Sequence, residues 1–598
     1  MPFFGNSYRV LRALPWLVGV LSSLLLVASM PGFNIAEAAW LWALPFILWA
    51  ASKPSWKQWL VTVFCSIWLA RIITLLWLRH VYPPLGWLGL FLLTWAVAML
   101  PVLWFALLRW LFPRTVGAPP ILCIVIQLGL AGAWVSLEWV QSWLLTGFPW
   151  CLLAETQWQR PVALALCAWG GPWALGFAIM LFNIGLARYI LRFVEEFERT
   201  KAERLKAARI LSGATPAASP LQALPFPSPL GVMRRICPEF YVGLAPILFA
   251  FVSFLFAVRH LNERADRLFT LGVVQTDFDP NAKWDRNLYK NNLAVVRDLT
   301  LAAAQLTKTA PVFEFPESGV ALPVVENVAG TPELILWPEA AMPARMSDAQ
   351  YADFLTTLAT KTGKTLLIGG IGGDDNGYSN GIFTVTNSGV SEDFYAKRHL
   401  VPFGEYVPLA SVLPLRKVVP VASDCLPGTR NEPLLVPVPV DDCSSVILKA
   451  GALVCYEDVF PELSRDMALR GADFIAVVTN DAWYGREAGA YQHAAHSAVL
   501  AASLRLPVVR CGNNGWSGVF NPLGQGEALK DSTGSIYFRG AGRFDVVGIR
   551  APLREPTFYT THGDWLVLCS GLFTLWACLR NRRWKRAAPG GEGQTCVQ

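Results

Sequence analysis

Residues 446–458 read VILKAGALVCYED, an apolar run rich in β-branched residues that stops abruptly on a cysteine and two acids. So short a run, followed at once by a polar turn, reads as a buried strand rather than a helix. Cys455 stands where that strand meets Tyr456, Glu457 and Asp458. A thiol in that position has a rigid element behind it and a turn rich in backbone N–H groups ahead of it.

Runs of the same kind recur on both sides: FTLGVVQ (269–275), ELILWPE (333–339), TLLIGGI (365–371), GIFTVTN (381–387), DFIAVVTND (473–481) and PVVRCGNNG (507–515). Helical stretches alternate with them, so residues 268–552 form an α/β layered domain. In such domains chemistry gathers at the carboxyl ends of strands. Three segments meet that criterion: ELILWPEA ends on Glu339, FYAKRHLVPFGEYVP (394–408) places Lys397 and Glu405 around a turn, and ALVCYED carries Cys455.

The rest of the chain has a different solvent. Of 598 residues 54% are hydrophobic, 26 are Trp and only 16% are charged, more apolar than one soluble domain allows. Stretches able to cross a hydrocarbon core lie near 12–30, 35–52, 57–78, 86–108, 119–145, 163–187, 239–258 and 564–579. This predicts a seven-helix membrane domain over 1–260 and an eighth helix with a tail over 562–598. No A-x-A-like cleavage site follows the first stretch, so it reads as a retained helix. Basic residues sit in alternate connections: Arg9 and Arg12, Lys53 and Lys57, Arg109 and Arg114, a dense run from Arg188 to Arg235, and Arg580 to Arg586. By the positive-inside rule that side is cytoplasmic and the 268–552 domain faces the periplasm. The connection 195–237 opens with a charged helical stretch and continues Pro/Ser/Ala-rich, a linker composition.

The net charge of +7 suggests nucleic acid at first sight, but the basic residues flank apolar spans and form no groove-lining stripe, so no nucleic-acid partner is expected. Twelve Cys without CxxC pairs and six His without HExxH signal neither a metal site nor a cofactor. His493 and His496 share a helix face and read as surface or packed histidines. Cys425 and Cys443 flank a Pro-rich loop that a disulfide could close. Arg71 and Glu138 fall at membrane depth, where a charge needs a partner or a function.

A nucleophilic cysteine needs a base, a cation and oxyanion donors. Glu339 would take the thiol proton, Lys397 would stabilise the developing charge, and a backbone N–H after Cys455 would complete the oxyanion hole. At these residues the chain resembles a family. WPEA, YAKRHLVPFGEYVP, VCYED and TNDAWYG are similar to the nitrilase-type domain of apolipoprotein N-acyltransferases, and LEWVQSWLLTGFPW (137–150) and QTDFDPNAKWD (275–285) extend the likeness. The resemblance implies eight membrane helices and an αββα sandwich in a bacterial inner membrane. It implies a Glu339–Lys397–Cys455 triad supported by Glu405, with Tyr456 and Glu457 beside the nucleophile and Trp284 near the lipid entrance. It also implies transfer of an acyl chain from a phospholipid, typically phosphatidylethanolamine, through a cysteine thioester to the α-amine of diacylglyceryl-cysteine in apolipoproteins. Residues 306–330 depart from the pattern as an enlarged loop. The alternative in the same chemistry is a membrane-tethered amidohydrolase that gives the thioester to water; a receptor or transporter with a dead external domain would lack part of the triad.

Overall fold

The computed structural model describes residues 15–211, 237–305, 312–314, 321–325, 330–374, 377–408, 410, 416, 424–440 and 444–587. Most of the 306–330 loop, the Pro/Ser/Ala-rich half of the 195–237 connection, and Cys443 lie outside them, so the Cys425–Cys443 pairing does too.

The membrane half comprises α1 (Pro15–Ser29), α2 (Leu44–Ala51), α3 (Trp56–Thr74), α4 (Leu85–Leu111), α5 (Pro120–Gln141), α6 (Cys167–Leu211) and α7 (Pro238–Arg264). Helices over Leu85–Thr115, Pro120–Gln141, Cys167–Thr200 and Pro238–Arg264 are long and apolar enough to cross a membrane, whereas Pro15–Ser29, Ala36–Ala51 and Trp565–Arg580 are apolar but shorter. Leu248, Phe251, Leu255 and Phe256 of α7 are exposed, as on a lipid-facing helix.

The stretch 35–52, expected as one helix, is divided into a 3₁₀ turn over Ala36–Trp40 and the short α2. The cause is Asn183 of α6. Its Nδ2 donates to Ala39 O at 3.1 Å and its Oδ1 accepts from Ala43 N at 3.2 Å. Those are the two groups an α-helix would have joined to each other.

The 163–187 stretch begins its regular helix later than expected, because Gly170 and Gly171 break α6 ahead of Pro172. Beyond residue 195 the same helix continues through the charged stretch to Leu211.

The α/β half carries β1 (Asp266–Gln275), α8 (Tyr289–Gln305), β2 (Val312–Glu314), β3 (Ala321–Val325), β4 (Leu334–Trp337), α9 (Ala349–Thr362), β5 (Thr365–Asp374), β6 (Gly377–Thr386), β7 (Gly389–Ala396), β8 (Leu434–Pro439), β9 (Ser445–Val454), α10 (Pro461–Leu469), β10 (Phe474–Thr479), α11 (Gly489–Leu504), β11 (Val508–Gly512), β12 (Gly518–Phe520), β13 (Gly526–Ala528) and β14 (Gly540–Gly548). The strands form an eight-stranded sheet, β2-β3-β14-β1-β4-β5-β6-β7, and a six-stranded sheet, β13-β12-β11-β10-β9-β8. Parallel pairing at β1/β4/β5 and at β9/β10/β11 accounts for their unbroken apolar runs, since such strands are buried on both faces.

Along β4 the alternation is explicit. Leu334 and Leu336 join the core between the sheets, whereas Ile335 and Trp337 join the core under α8 and α9. The two sheets meet face to face, with Phe269 against Phe474 at 4.9 Å and the Cys511 thiol donating to Val274 O at 3.2 Å. Helices α10 and α11 cover the six-stranded sheet, completing an αββα sandwich.

The last helix, α12 (Trp565–Ala587), returns to pack on α5. A Cβ at Gly132 would lie 2.5 Å from Ser570 O, so the two backbones touch where glycine allows it. Arg71 and Glu138 are buried and hold one loop between them: Arg71 Nη1 donates to Cys151 O at 3.1 Å, and Glu138 Oε1 accepts from Leu153 N at 2.9 Å. That loop carries the LTGFPW motif beneath the α/β half.

Candidate active site

Strand β9 delivers Cys455 into a 3₁₀ turn, Cys455–Val459, with the cysteine at φ 52°. A non-glycine residue in the left-handed region costs on the order of 1–3 kcal/mol and persists only where its surroundings over-determine it. Glu457 supplies much of that determination. Its Oε2 accepts from Val454 N at 2.8 Å, and its Oε1 accepts from Tyr395 Oη (2.9 Å), Arg398 N (2.7 Å) and His399 N (3.1 Å). One buried carboxylate therefore ties the Cys455 turn to the loop after β7. Glu457, expected beside the candidate nucleophile, is bonded to protein donors on both oxygens.

Lys397 leaves the end of β7 and is 1% exposed at its side chain. Its Nζ lies 2.9 and 2.8 Å from the two oxygens of Glu405 and 3.8 Å from Glu339 Oε1. Asn380 of β6 donates from Nδ2 to Glu339 Oε1 at 2.6 Å and to Glu405 Oε1 at 3.3 Å. Glu339 N donates to Thr479 O at 3.4 Å, which links the two sheets at the site. The chain thus brings Glu339, Lys397 and Cys455 together from three strand ends, with Glu405 contributed by the loop that Lys397 opens.

Burial pushes the Cys455 thiol well above its ordinary range; the Glu339 carboxylate adds to this and the Lys397 ammonium opposes it. A thiol raised in this way needs a base before it can attack, rather than merely a nearby cation. Burial disfavours the Lys397 ammonium, but Glu405 and Glu339 together outweigh it and raise its pKa, keeping it charged. Lys283, next to Trp284, reaches across to donate to Glu339 O at 3.2 Å, and burial lowers its pKa to about 8 against the pull of Glu339.

Tyr456 turns away from the triad and toward the membrane half. Its Oη donates to Gly147 O at 3.0 Å, and its ring stacks on Trp150 with centroids 6.4 Å apart. Gly147 has φ 82°, and a Cβ there would lie 2.2 Å from Ser142 O, so this close approach needs glycine. Trp284 and Phe403 are about half exposed beside the site, and Trp143, Leu144 and Leu145 form an exposed apolar tip on the membrane side.

Gln492 of α11 fastens the halves. Its Oε1 accepts from Trp77 Nε1 and Trp150 Nε1, both at 2.9 Å, and its Nε2 donates to Thr74 O at 2.8 Å.

Sequence reading left several residues out of the site. Asn380 sits in a plain YSNG strand segment with no motif signal, whereas Lys283 lies within QTDFDPNAKWD, beside Trp284. His493, read as a surface or packed histidine, is wholly buried between Asp458 and Asp481. Among the described residues no cluster of His, Cys, Asp or Glu could hold a metal ion.

Residues 270–536 match the model of the carbon-nitrogen hydrolase family, and residues 22–185 match that of the apolipoprotein N-acyltransferase N-terminal domain. The chain is 28% identical over 596 residues to an apolipoprotein N-acyltransferase of Geobacter metallireducens, covering 96% of each chain. It is 28% identical to one of Azotobacter vinelandii, covering 83% of this chain and 81% of that one. Similar solved structures include the NitFhit protein of C. elegans (17% identity, 47% of this chain, 61% of that one, TM-score 0.32) and a carbon-nitrogen hydrolase of Helicobacter pylori (16%, 53% and 96%, TM-score 0.29). The α/β half is a nitrilase-like carbon-nitrogen hydrolase domain carried on a helical membrane half. The chain as a whole belongs to the apolipoprotein N-acyltransferase family.

Proposed function

We propose that this chain acylates apolipoproteins, moving an acyl chain from a membrane phospholipid through Cys455 to the α-amine of an N-terminal diacylglyceryl-cysteine. The observation that carries this is the nucleophile turn. Its Cys455 faces a carboxylate–ammonium pair, while its next residue, Tyr456, is bonded to a membrane-domain loop. A hydrolase of soluble amides has no need to abut apolar helices; two lipid-anchored substrates do.

In the first half-reaction Glu339 takes the Cys455 proton as Sγ attacks the ester carbonyl of the phospholipid. Lys397 and the N–H groups following Cys455 stabilise the oxyanion. The carbon–oxygen bond then breaks, and Glu339 returns the proton to the departing lysophospholipid hydroxyl. In the second, the lipopeptide amine attacks the thioester, Glu339 receives the amine proton, and the thiol is regenerated as the amide forms. Glu405 and Asn380 hold Lys397 and Glu339 in place, and Trp284 lies toward the lipid entrance. The donor is a phospholipid of the phosphatidylethanolamine type. Eight membrane helices with cytoplasmic termini would put the catalytic half on the periplasmic face of a bacterial inner membrane, where both substrates arrive by two-dimensional diffusion. No cofactor enters this scheme.

The test is intact-mass analysis of the detergent-purified protein with phosphatidylethanolamine, before and after a diacylated lipopeptide with a free N-terminal amine. An acyl-sized, hydroxylamine-labile adduct on Cys455 that passes to the amine supports the reading. An adduct lost only to water makes the chain an amidohydrolase-type enzyme, and no adduct at all overturns the nucleophile assignment.

A further inference from the structure

Behind the nucleophile lies a closed ring of four buried ionisable side chains, Asp458, His493, Asp481 and Arg510, each 0% exposed at its side chain. Arg510 Nη1 donates to Asp458 Oδ2 at 2.5 Å and its Nη2 to Asp481 Oδ2 at 3.2 Å. On the opposite side His493 Nδ1 meets Asp481 Oδ1 at 2.7 Å. Its Nε2 lies 2.8 Å from Asp458 Oδ1 and points at the carbonyl oxygen of Cys455, 3.3 Å away. Both ring nitrogens therefore face oxygens that only accept, a carboxylate on one side and a peptide carbonyl on the other. A neutral imidazole would set a lone pair against one of them; only the imidazolium has a proton for each.

The charges are then two of each sign, which is what a fully buried cluster requires. Every member is joined to the catalytic strand ends. Asp458 belongs to the Cys455 turn, and Asp481 Oδ1 accepts from Thr479 Oγ1 at 2.7 Å. The carbonyl of that same Thr479 holds the Glu339 amide. Arg510 comes from β11, the next strand of the sheet. The nucleophile's left-handed backbone thus has Glu457 holding it from one side and His493 holding its carbonyl from the other.

We infer that His493, as an imidazolium balanced within this ring, is a positioning residue for the acyl-transfer reaction: it fixes the Cys455 carbonyl and keeps the cluster behind the thiol electrically neutral. It touches no substrate and acts through Cys455. Loss of its proton or its charge leaves one uncompensated negative charge beside the thiol, which disfavours the thiolate formed during attack. The groups facing it are Asp458, Asp481, Arg510 and Cys455, with the Tyr484 ring 5.9 Å away. On its own helix is His496, whose Nε2 lies 3.3 Å from Glu155 Oε1 of the membrane half. The raised pKa of His493, about 9 once Asp458 and Asp481 have outweighed burial and Arg510, accords with a charged ring at neutral pH.

The inference rests on Cys455 being the acyl carrier, and the experiment separates the two. Single-turnover formation of the Cys455 acyl adduct is followed by intact mass across pH 6 to 10 for wild type, His493→Gln, Asp481→Asn and the double variant. Absence of adduct in wild type would overturn the acyl-carrier assignment, and with it this role. Where wild type forms adduct, His493→Gln is expected to slow it roughly a hundredfold with lipid KM unchanged. The double variant, again neutral, is expected to recover at least about tenfold of that loss and to lack the alkaline fall in rate expected of wild type. A folded His493→Gln protein acylating at the wild-type rate would refute the role, as would a double variant no better than the single. Should His493→Gln fail to fold, the double variant decides the matter by itself: a wild-type alkaline limb retained in it overturns the proposal.

Discussion

Asn380→Asp is the most informative single change at the site, because it preserves shape and alters charge. The Nδ2 of Asn380 lies 2.6 Å from Glu339 Oε1, so the substitution sets a carboxylate oxygen against another where a donor stood. With Glu405 3.3 Å from the same atom, three carboxylates would surround one ammonium, Lys397. Two unit charges about 3 Å apart at an effective dielectric of about 20 repel by roughly 5 kcal/mol, equivalent to roughly 3 to 4 pKa units. The protein relieves this by sharing a proton between the carboxyls, and a protonated Glu339 cannot accept the thiol proton. Adduct formation on Cys455 at pH 7 should fall on the order of tenfold from this effect and recover as pH rises and the shared proton leaves. Asn380→Ala, which only removes charge-assisted bonds of about 1.5–3 kcal/mol, should cost roughly ten- to a hundredfold without that pH recovery. The assay is single-turnover acylation by intact mass, with detergent size-exclusion confirming that each variant folds. Acylation by Asn380→Asp within about threefold of wild type at pH 7 would refute the argument that Asn380 holds Glu339 in its basic form.

Cys455→Ala should give no adduct, and Cys455→Ser at most a trace, because an alkoxide is harder to generate than a thiolate; turnover by the alanine protein would exclude Cys455 as the acyl carrier. Gln492→Leu removes the acceptor shared by Trp77 and Trp150 and strands two buried indole N–H groups at about 1–3 kcal/mol each. A fall of several degrees in detergent Tm is expected, and an unchanged Tm would show that the two halves do not depend on that junction. The folded-state pKa of His493, about 9, stands above its unfolded value near 6.5. Its contribution is therefore fully present below pH 6.5 and lost as pH climbs through 9, a change on the order of 3 kcal/mol. Thermal unfolding should accordingly show Tm declining across pH 6.5 to 9 in wild type but not in a folded His493→Gln protein; parallel slopes would contradict the charged ring.

Much of this molecule is legible in its sequence, for a local reason. The α/β half announces itself because parallel strands buried on both faces must be unbroken apolar runs, and because Glu339 and Cys455 close such runs. The membrane half is legible from length and hydropathy alone, as at Leu85–Thr115 and Pro238–Arg264. What tertiary structure decided depends on residues far apart in the chain. Asn183 divides the 35–52 helix from some 140 positions away, and no local pattern encodes that. Arg71 and Glu138 read in sequence only as charges at membrane depth that need a partner or a function, and the fold bonds each of them to the loop bearing LTGFPW. Asn380 joins the site because β6 lies beside β5, which in turn pairs with β4, the strand ending at Glu339. His493 reads as an ordinary packed histidine until Asp458, Asp481 and Arg510 close around it. Patterning is a property of single segments and so determined the fold class and singled out Cys455 as the candidate nucleophile. A satisfied buried charge is a property of several segments at once, and only their packing could reveal it.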